Sequence, residues 1–171
     1  MLLDVNALAE GHDFFALGAS SVSDSGDLLA YSVDVAGDER FELFIKDLRT
    51  GELLEDRLEG IFYGATWVGE EFIFYTTVDD AWRPDTVWRH RVGTPQSDDV
   101  VVMREEDSRF GIGVGTTRSE KYIMIVSGSK TTNEAWVLEQ STPEGEFRCL
   151  WERESGAVSY THLRAHETSL H

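Results

Sequence analysis

Three stretches of the sequence repeat one pattern: LGASSVSDSGDLLAYSV from Leu17, YGATWVGEEFIFYTTV from Tyr63 and GVGTTRSEKYIMIV from Gly113. Each stretch starts with a short segment of small residues, passes through a polar turn and ends in a dense apolar run. A polar loop and two further strand-length segments follow in each unit. The segments are rich in β-branched and aromatic residues and are separated by Gly, Asp and Pro, which is typical of strands joined by turns.

The repeated unit contains four strand-length segments. Leu54, Val102 and Leu150 stand in the fourth segment of successive units and are spaced 48 residues apart. A repeat of this length, built from four strands, is typical of one blade of a β-propeller. The sequence therefore predicts an all-β fold, a partial β-propeller of about three blades with four antiparallel strands each.

The pattern divides the chain into a lead-in, three blades and a tail. We expect a turn or two of helix within the lead-in, over Asp4 to Glu10. Propellers typically contain about four to eight blades, so three leave the ring open, with an apolar face exposed at each end. The predicted parts are the lead-in (1–13), the blades (about 14–59, 60–108 and 109–154) and a tail that we expect to be non-native (155–171).

The four segments of each repeated unit differ in composition, and the differences follow the same order in every unit. The first segments carry small residues such as Gly18 and Gly64, which suit the crowded region near a propeller axis. The second segments are apolar on both faces, as expected of strands that are covered on both sides. The fourth segments carry charges that we expect in water at the outer edge: Glu55, Asp56, Arg57, Arg104, Glu105, Glu152 and Arg153.

Composition excludes several classes of function. The chain has 171 residues, with 32 acidic and 15 basic ones, and a net charge of −17. This charge repels a phosphate backbone and an anionic membrane, so we expect neither nucleic acid nor membrane as a partner. The single cysteine, Cys149, excludes an internal disulfide and a cysteine zinc cluster. The first residues do not resemble a signal peptide, which predicts a cytoplasmic protein.

The sequence contains no motif for nucleophilic catalysis or phosphate binding. A nucleophile elbow needs Gly-x-Ser-x-Gly, because a tight strand-to-helix turn must present the serine. Gly18-Ala19-Ser20 comes closest, but Val22 stands where the final glycine belongs. The glycines in 111–115 are similar to a phosphate loop, but a strand follows them and supplies no helix N-terminus. We interpret them as sites of close strand packing.

The titratable residues favour structural roles. His90 has no identifiable nucleophile as a partner, so a hydrogen bond or a surface position is favoured over catalysis. Cys149 is interpreted as a packing residue. The acidic loops lack the spacing of a calcium loop and favour turns over metal binding; they hold Asp34, Asp38, Glu39, Asp79, Asp80 and Asp85.

Two further sets of residues also favour structural interpretations. The tryptophans recur at equivalent places in the units and are interpreted as packing residues: Trp67, Trp82, Trp88, Trp136 and Trp151. His162 and His166 have a spacing that suits a metal on one helical face, but a tail without a role is favoured. We therefore predict that this chain has no catalytic, cofactor-binding or metal-binding residues.

Three long stretches resemble the propeller of the prolyl oligopeptidase family, in its oligopeptidase B branch, over residues 1–154. They are LLDVNALAEGHDFFALGASSVSDSGDLLAYSVDVAGDERFELFIKDLRTGELL from Leu2, FYTTVDDAWRPDTVWRHRVGT from Phe74 and SEKYIMIVSGSKTTNEAWVLE from Ser119. The sequence departs from the family at Ser23-Asp24-Ser25-Gly26, where members have Ser-Pro-Asp-Gly, and after Glu154. The turn is expected to survive, because Asp, Ser and Gly favour turns. Both ends look truncated.

The resemblance implies a seven-bladed propeller joined to a separate α/β-hydrolase domain. The family's serine, aspartate and histidine lie in that domain, so none is carried onto this chain. A parent protein of this kind cleaves short peptides, in this branch after Lys or Arg, and its propeller limits access to the active site. The expected partners are peptide substrates and the hydrolase domain.

Two alternatives remain open from the residues alone. A stand-alone propeller acting as a protein-interaction scaffold is disfavoured by the missing Gly-His and Trp-Asp signatures of WD repeats. A propeller hydrolase with a metal in its channel needs carboxylate or histidine ligands on the first strands, and these segments have none. For the isolated chain we predict no peptidase activity.

Overall fold

A computed structural model describes residues 2–153 as three four-stranded antiparallel sheets, one for each repeat. The predicted fold class is therefore confirmed. A short helix, α1 (Val5–Ala9), comes first, and its first turn is capped by the Asp4 side chain, which accepts from the Ala7 amide. Blade 1 contains β1 (Ala16–Val22), β2 (Leu28–Asp34), β3 (Phe41–Asp47) and β4 (Leu53–Ile61); blade 2 contains β5 (Ala65–Val68), β6 (Phe72–Val78), β7 (Pro84–Arg91) and β8 (Val100–Arg104); blade 3 contains β9 (Gly111–Thr116), β10 (Tyr122–Gly128), β11 (Asn133–Glu139) and β12 (Arg148–Trp151).

Each blade is a meander whose strands pair in chain order. The first strands β1, β5 and β9 contact one another at the inner edge of the assembly, and the fourth strands form the outer edge. The turn between β1 and β2 forms although its sequence, Ser23-Asp24-Ser25-Gly26, departs from the family pattern. Gly26 has a φ of 84°, and its amide donates to the Ser23 carbonyl. A 3-10 helix (Gln96–Asp98) precedes β8.

The hydrophobic core lies between the blades. At the interface of blades 1 and 2, Leu43 and Ile45 pack with Ile73 and Tyr75, all of them buried. At the interface of blades 2 and 3 a second cluster joins residues of β6 and β7 with residues of β9, β10 and β11. The strand β6 is buried on both faces from Phe72 to Thr76, as the sequence predicted for second strands. Removal of these apolar faces from water is what holds the sheets together.

The close-packing interpretation of the inner glycines holds at one position and fails at others. A Cβ at Gly18 would lie 2.6 Å from both Phe41 Cδ1 and Ser32 Oγ, so no larger residue fits without a shift. At Gly113 and Gly115 a Cβ would meet nothing within 4 Å, so the packing prediction was wrong there. Their side of β9 opens toward empty space.

The structure corrects two predictions about exposure. Asp56 and Glu105 are buried, although we expected the charges of the fourth strands in water. Both are buried because partners on the next blade neutralise them. The apolar face of blade 1 that we expected to be exposed is exposed only in part. Leu29 and Tyr31 are buried on this face, whereas Leu53 is exposed.

The predicted tail, with His162 and His166, lies outside the described residues. Within residues 2–153 the only α-helix is α1, and none of the described helices has the length and apolar character needed to cross a membrane.

Candidate functional site

A buried histidine joins blades 1 and 2. His90 lies on β7 with no exposed surface, between two carboxylates. Its Nε2 lies 2.7 Å from Asp56 Oδ2, and its Nδ1 lies 2.6 Å from Asp99 Oδ1. Asp56 comes from β4 of blade 1, whereas Asp99 comes from the segment before β8 of blade 2. The imidazole therefore forms part of the interface between the two blades.

The electrostatics of this cluster favour a charged histidine. Burial alone would lower the pKa of His90, but its hydrogen bonds to Asp56 and Asp99 outweigh burial and raise the pKa to about 9. Burial alone would raise the pKa of Asp56, but the hydrogen bonds from His90 and the Gly93 amide outweigh it, so the pKa is lowered. Burial and then the Asp99 carboxylate raise the pKa of Tyr75, whose hydroxyl donates to Asp99 at 2.6 Å.

This arrangement is not that of a catalytic triad. A general base needs one imidazole nitrogen directed at a nucleophile, and both nitrogens of His90 bind carboxylates instead. The structural hydrogen bond predicted for His90 is confirmed. Sequence reasoning missed its partners, because Asp56 lies 34 residues away on the preceding blade and was interpreted as a surface charge.

A second buried carboxylate joins blades 2 and 3. Glu105, just after β8, accepts hydrogen bonds from Ser127 on β10 and from Arg153, the latter at 2.6 Å. Burial alone would raise the pKa of Glu105, but the hydrogen bonds from Ser127, the Asp107 amide and Arg153 lower it. The Arg153 guanidinium also lies 3.5 Å above the centre of the Phe110 ring. Each blade interface thus contains a buried carboxylate of the preceding blade.

The acidic loops form turns. Asp34 accepts from the amides of Ala36, Gly37 and Glu39, and these bonds outweigh burial and lower its pKa. Asp79, at the equivalent place in blade 2, accepts from the amides of Ala81 and Arg83 and from the Arg83 side chain. The turn interpretation of these loops is confirmed. Within residues 2–153, no group of three or more His, Cys, Asp and Glu side chains is placed to hold a metal ion.

The other candidate residues are scattered. Ser20 lies on β1 opposite Tyr31, on a different blade from His90. Cys149 is exposed on β12, so its interpretation as a packing residue was wrong; partial burial and the nearby Glu152 raise the pKa of its thiol. Trp67 packs as predicted, with its Nε1 donating to the Ser21 carbonyl at 3.0 Å, whereas Trp82 is 40% exposed.

A polar cavity lies beside the inner strands, at the end where the first strands turn into the second. Its volume is about 240 Å³, and Asp24 and Glu120 contribute to its wall from two different blades. Thr66 and Thr116 line it from β5 and β9. The wall of the cavity therefore carries acidic side chains from blade 1 and blade 3.

Comparison with known proteins matches this chain to a peptidase propeller family and to curated peptidases. The family described as prolyl oligopeptidase, N-terminal beta-propeller domain, matches residues 1–170. "Protease 2" of Moraxella lacunata is 36% identical over 161 residues, which cover 92% of this chain and 23% of the relative. "Dipeptidyl aminopeptidase BI" of Pseudoxanthomonas mexicana is 36% identical over 160 residues, covering 90% and 21%.

Solved structures show the same likeness. Oligopeptidase B from Trypanosoma brucei, in its closed form with covalently bound antipain, superposes with a TM-score of 0.82 at 34% identity, covering 91% of this chain and 22% of that one. Oligopeptidase B from Leishmania major gives a TM-score of 0.85 at 28% identity, covering 91% and 22%. The chain therefore spans less than a quarter of the length of these proteins.

Proposed function

Since the chain belongs to the prolyl oligopeptidase family, as part of its N-terminal β-propeller domain, we propose that it is the non-catalytic propeller portion of a serine oligopeptidase. The observation that carries this proposal is the open row of three four-stranded blades, in which the buried His90 is bound on both nitrogens by carboxylates. Hydrolysis then belongs to a hydrolase domain elsewhere in the complete protein, where a serine attacks with histidine as general base.

The complete protein hydrolyses short peptides after Lys or Arg, and the propeller restricts the active site to small, unfolded substrates. The similarity to proteins named Protease 2 and oligopeptidase B supports the hydrolysis of peptides, and the resemblance to the oligopeptidase B branch is the basis for placing the cleavage after Lys or Arg. The net charge of −17 and the acidic cavity with Asp24 and Glu120 support a role in attracting basic peptides. Such attraction weakens as salt is added, because exposed charges are screened.

The test compares the purified chain with the complete protein. Both are incubated with an arginyl chromogenic peptide, with and without a serine-directed inhibitor. We expect the complete protein to release the chromophore in an inhibitor-sensitive and salt-sensitive manner, and the chain alone to release none. Inhibitor-sensitive hydrolysis by the chain alone, or a complete protein without peptidase activity, would overturn the proposal.

A further inference from the structure

A second cavity lies between blades 2 and 3, where two turns come together. Its volume is about 530 Å³, and its walls are the turn between β5 and β6 (69–71) and the turn between β11 and β12 (140–145). Val68 and Phe72, which are buried between the blades, supply the apolar part of the lining. Protein pockets that bind small ligands have volumes of about 300–1,000 Å³ and combine apolar surface with a few polar groups. This cavity has both properties.

Contacts of the two turns hold the walls of this cavity in place. Arg89 of β7 donates from Nη1 to the Pro143 carbonyl at 3.3 Å and so ties the turn of blade 3 to blade 2. Within that turn the Gly145 amide donates to the Thr142 carbonyl at 2.9 Å, and a Cβ on Gly145 would lie 3.1 Å from the same oxygen. The cavity is thus formed before a ligand enters, which lowers the entropic cost of binding.

The charged groups of the lining have both signs. Arg91, at the end of β7, pairs with one carboxylate of each wall: its Nη2 lies 3.4 Å from Glu71 Oε2, and its Nη1 lies 3.7 Å from Glu144 Oε1. The three side chains are 57–68% exposed and the distances are long, so both ion pairs are weak. Because a guanidinium has five N–H donors, Arg91 has donors for a ligand as well.

The lining as a whole is acidic. Glu70 adds a third carboxylate, whose Oε1 accepts from the Ser25 amide in the turn between β1 and β2 at 2.5 Å. Burial alone would raise the pKa of Glu70, but hydrogen bonds from Ser25 and Ser23 outweigh it and lower the pKa. Three carboxylates and one guanidinium therefore line the cavity. Charge complementarity favours a ligand that has an excess of positive charge and one anionic group.

We propose that this cavity binds short peptides that end in a free carboxylate beside a lysine or arginine side chain. Arg91 binds the terminal carboxylate, the acidic side chains of the walls bind the basic side chain, and an apolar residue of the peptide packs against Val68 and Phe72. Cleavage after Lys or Arg releases peptides of this kind. The inference therefore rests on the proposed function, and it gives the complete protein a product-binding site within its propeller.

Calorimetric titration of the complete protein tests this site. A fluorophosphonate first blocks the active serine, so that no peptide is cleaved during the measurement. The probes are the dipeptide Val-Arg and its C-terminal amide, which has no carboxylate. We expect Val-Arg to bind and Arg91→Gln to weaken its binding about tenfold, because a charge-assisted hydrogen bond is lost. The same variant should bind the amide as tightly as before or more tightly, since it removes a positive charge from the wall.

The matched control is Arg49→Gln. Arg49 is also an exposed arginine that pairs with two carboxylates, Asp27 and Asp47, but it lies on blade 1 and is not part of the lining. We expect this variant to bind Val-Arg as tightly as the unchanged protein does. Both variants should keep their thermal unfolding midpoint, since exposed ion pairs contribute little stability. The proposal is overturned if Val-Arg does not bind, if the two variants change its affinity equally, or if Arg91→Gln weakens the amide as much as the free acid.

The two proposals fail in different ways. A complete protein that lacks peptidase activity but binds Val-Arg through Arg91 disproves only the proposed function. An active peptidase whose blocked form does not bind Val-Arg, or binds it without the help of Arg91, disproves only the present inference.

Discussion

Replacement of His90 by leucine removes the one cation of the cluster between blades 1 and 2. Leucine is close to histidine in size, so the main effect is electrostatic. Asp56 and Asp99 then remain with side chains that are 3% and 1% exposed and with no positive charge between them. Each has another donor, the Gly93 amide for Asp56 and the Tyr75 hydroxyl for Asp99, but neither donor carries charge.

The expected loss follows from the cost of an unpaired buried charge. Removal of one partner from a buried ion pair typically destabilises a protein by about 3–5 kcal/mol. A domain of this size has a free energy of unfolding of about 5–15 kcal/mol, so the variant loses a large part of its stability. Urea denaturation, followed by the fluorescence of Trp67 and Trp88 at the same interface, measures the change.

The control is Arg91→Leu, which removes a neighbouring cation of the same strand whose side chain is 57% exposed. We expect a loss below about 1 kcal/mol for it, since exposed ion pairs contribute little. The triple variant His90→Leu, Asp56→Asn, Asp99→Asn regains part of the lost stability, because no unpaired charge stays buried. A loss for His90→Leu no larger than that of Arg91→Leu would refute the reasoning.

The same cluster makes stability depend on pH in a defined way. The pKa of His90 is raised from 6.5 to about 9 on folding, so its contribution is complete below pH 6.5 and is lost as the pH rises through 9. The pKa of Asp56 is lowered from 3.8, so its contribution is present above that value and is lost at more acidic pH. The stability of the parent chain should therefore decline as the pH rises from 6.5 to about 9, and His90→Leu should lack this decline.

Three further predictions concern other parts of the chain. Gly18→Val should destabilise the chain by about 1–3 kcal/mol in urea denaturation, because the added side chain meets Phe41 at the inner edge; Gly115→Val, with open space around it, should cost far less, and equal losses would contradict the packing argument. Asp34→Ala removes the acceptor of three backbone amides and should lower the free energy of unfolding by about 2 kcal/mol, whereas an unchanged midpoint would show that the turn forms without it. Cys149 is exposed, so a thiol reagent at pH 9 should label the folded chain at one site, and a failure to label it would contradict its placement on the outer strand.

The repeat predicted the architecture because blades follow one another in chain order and each strand pairs with its neighbour in sequence. Local patterns then suffice to place β2, β6 and β10, whose apolar runs are buried on both faces. Local patterns also identified the turns at Asp34 and Asp79, since an aspartate that binds amides a few residues ahead leaves its signal in the adjacent sequence.

The interface charges were not predictable in the same way. Asp56 and Glu105 stand among other charged residues on outer strands, and that composition favours solvent. Their burial depends on a partner in the next blade, His90 in one case and Arg153 in the other, at separations of 34 and 48 residues. A single sequence does not reveal which charges face each other across an interface, because the register between blades is fixed by packing rather than by local residues.

Labelling of the complete protein with a fluorophosphonate, followed by peptide mapping, tests the central claim most directly. The reagent modifies only a serine that a neighbouring base has activated. The account predicts a single labelled serine outside residues 1–171, in a peptide of the hydrolase domain. A labelled serine within the three blades, such as Ser20, would contradict it.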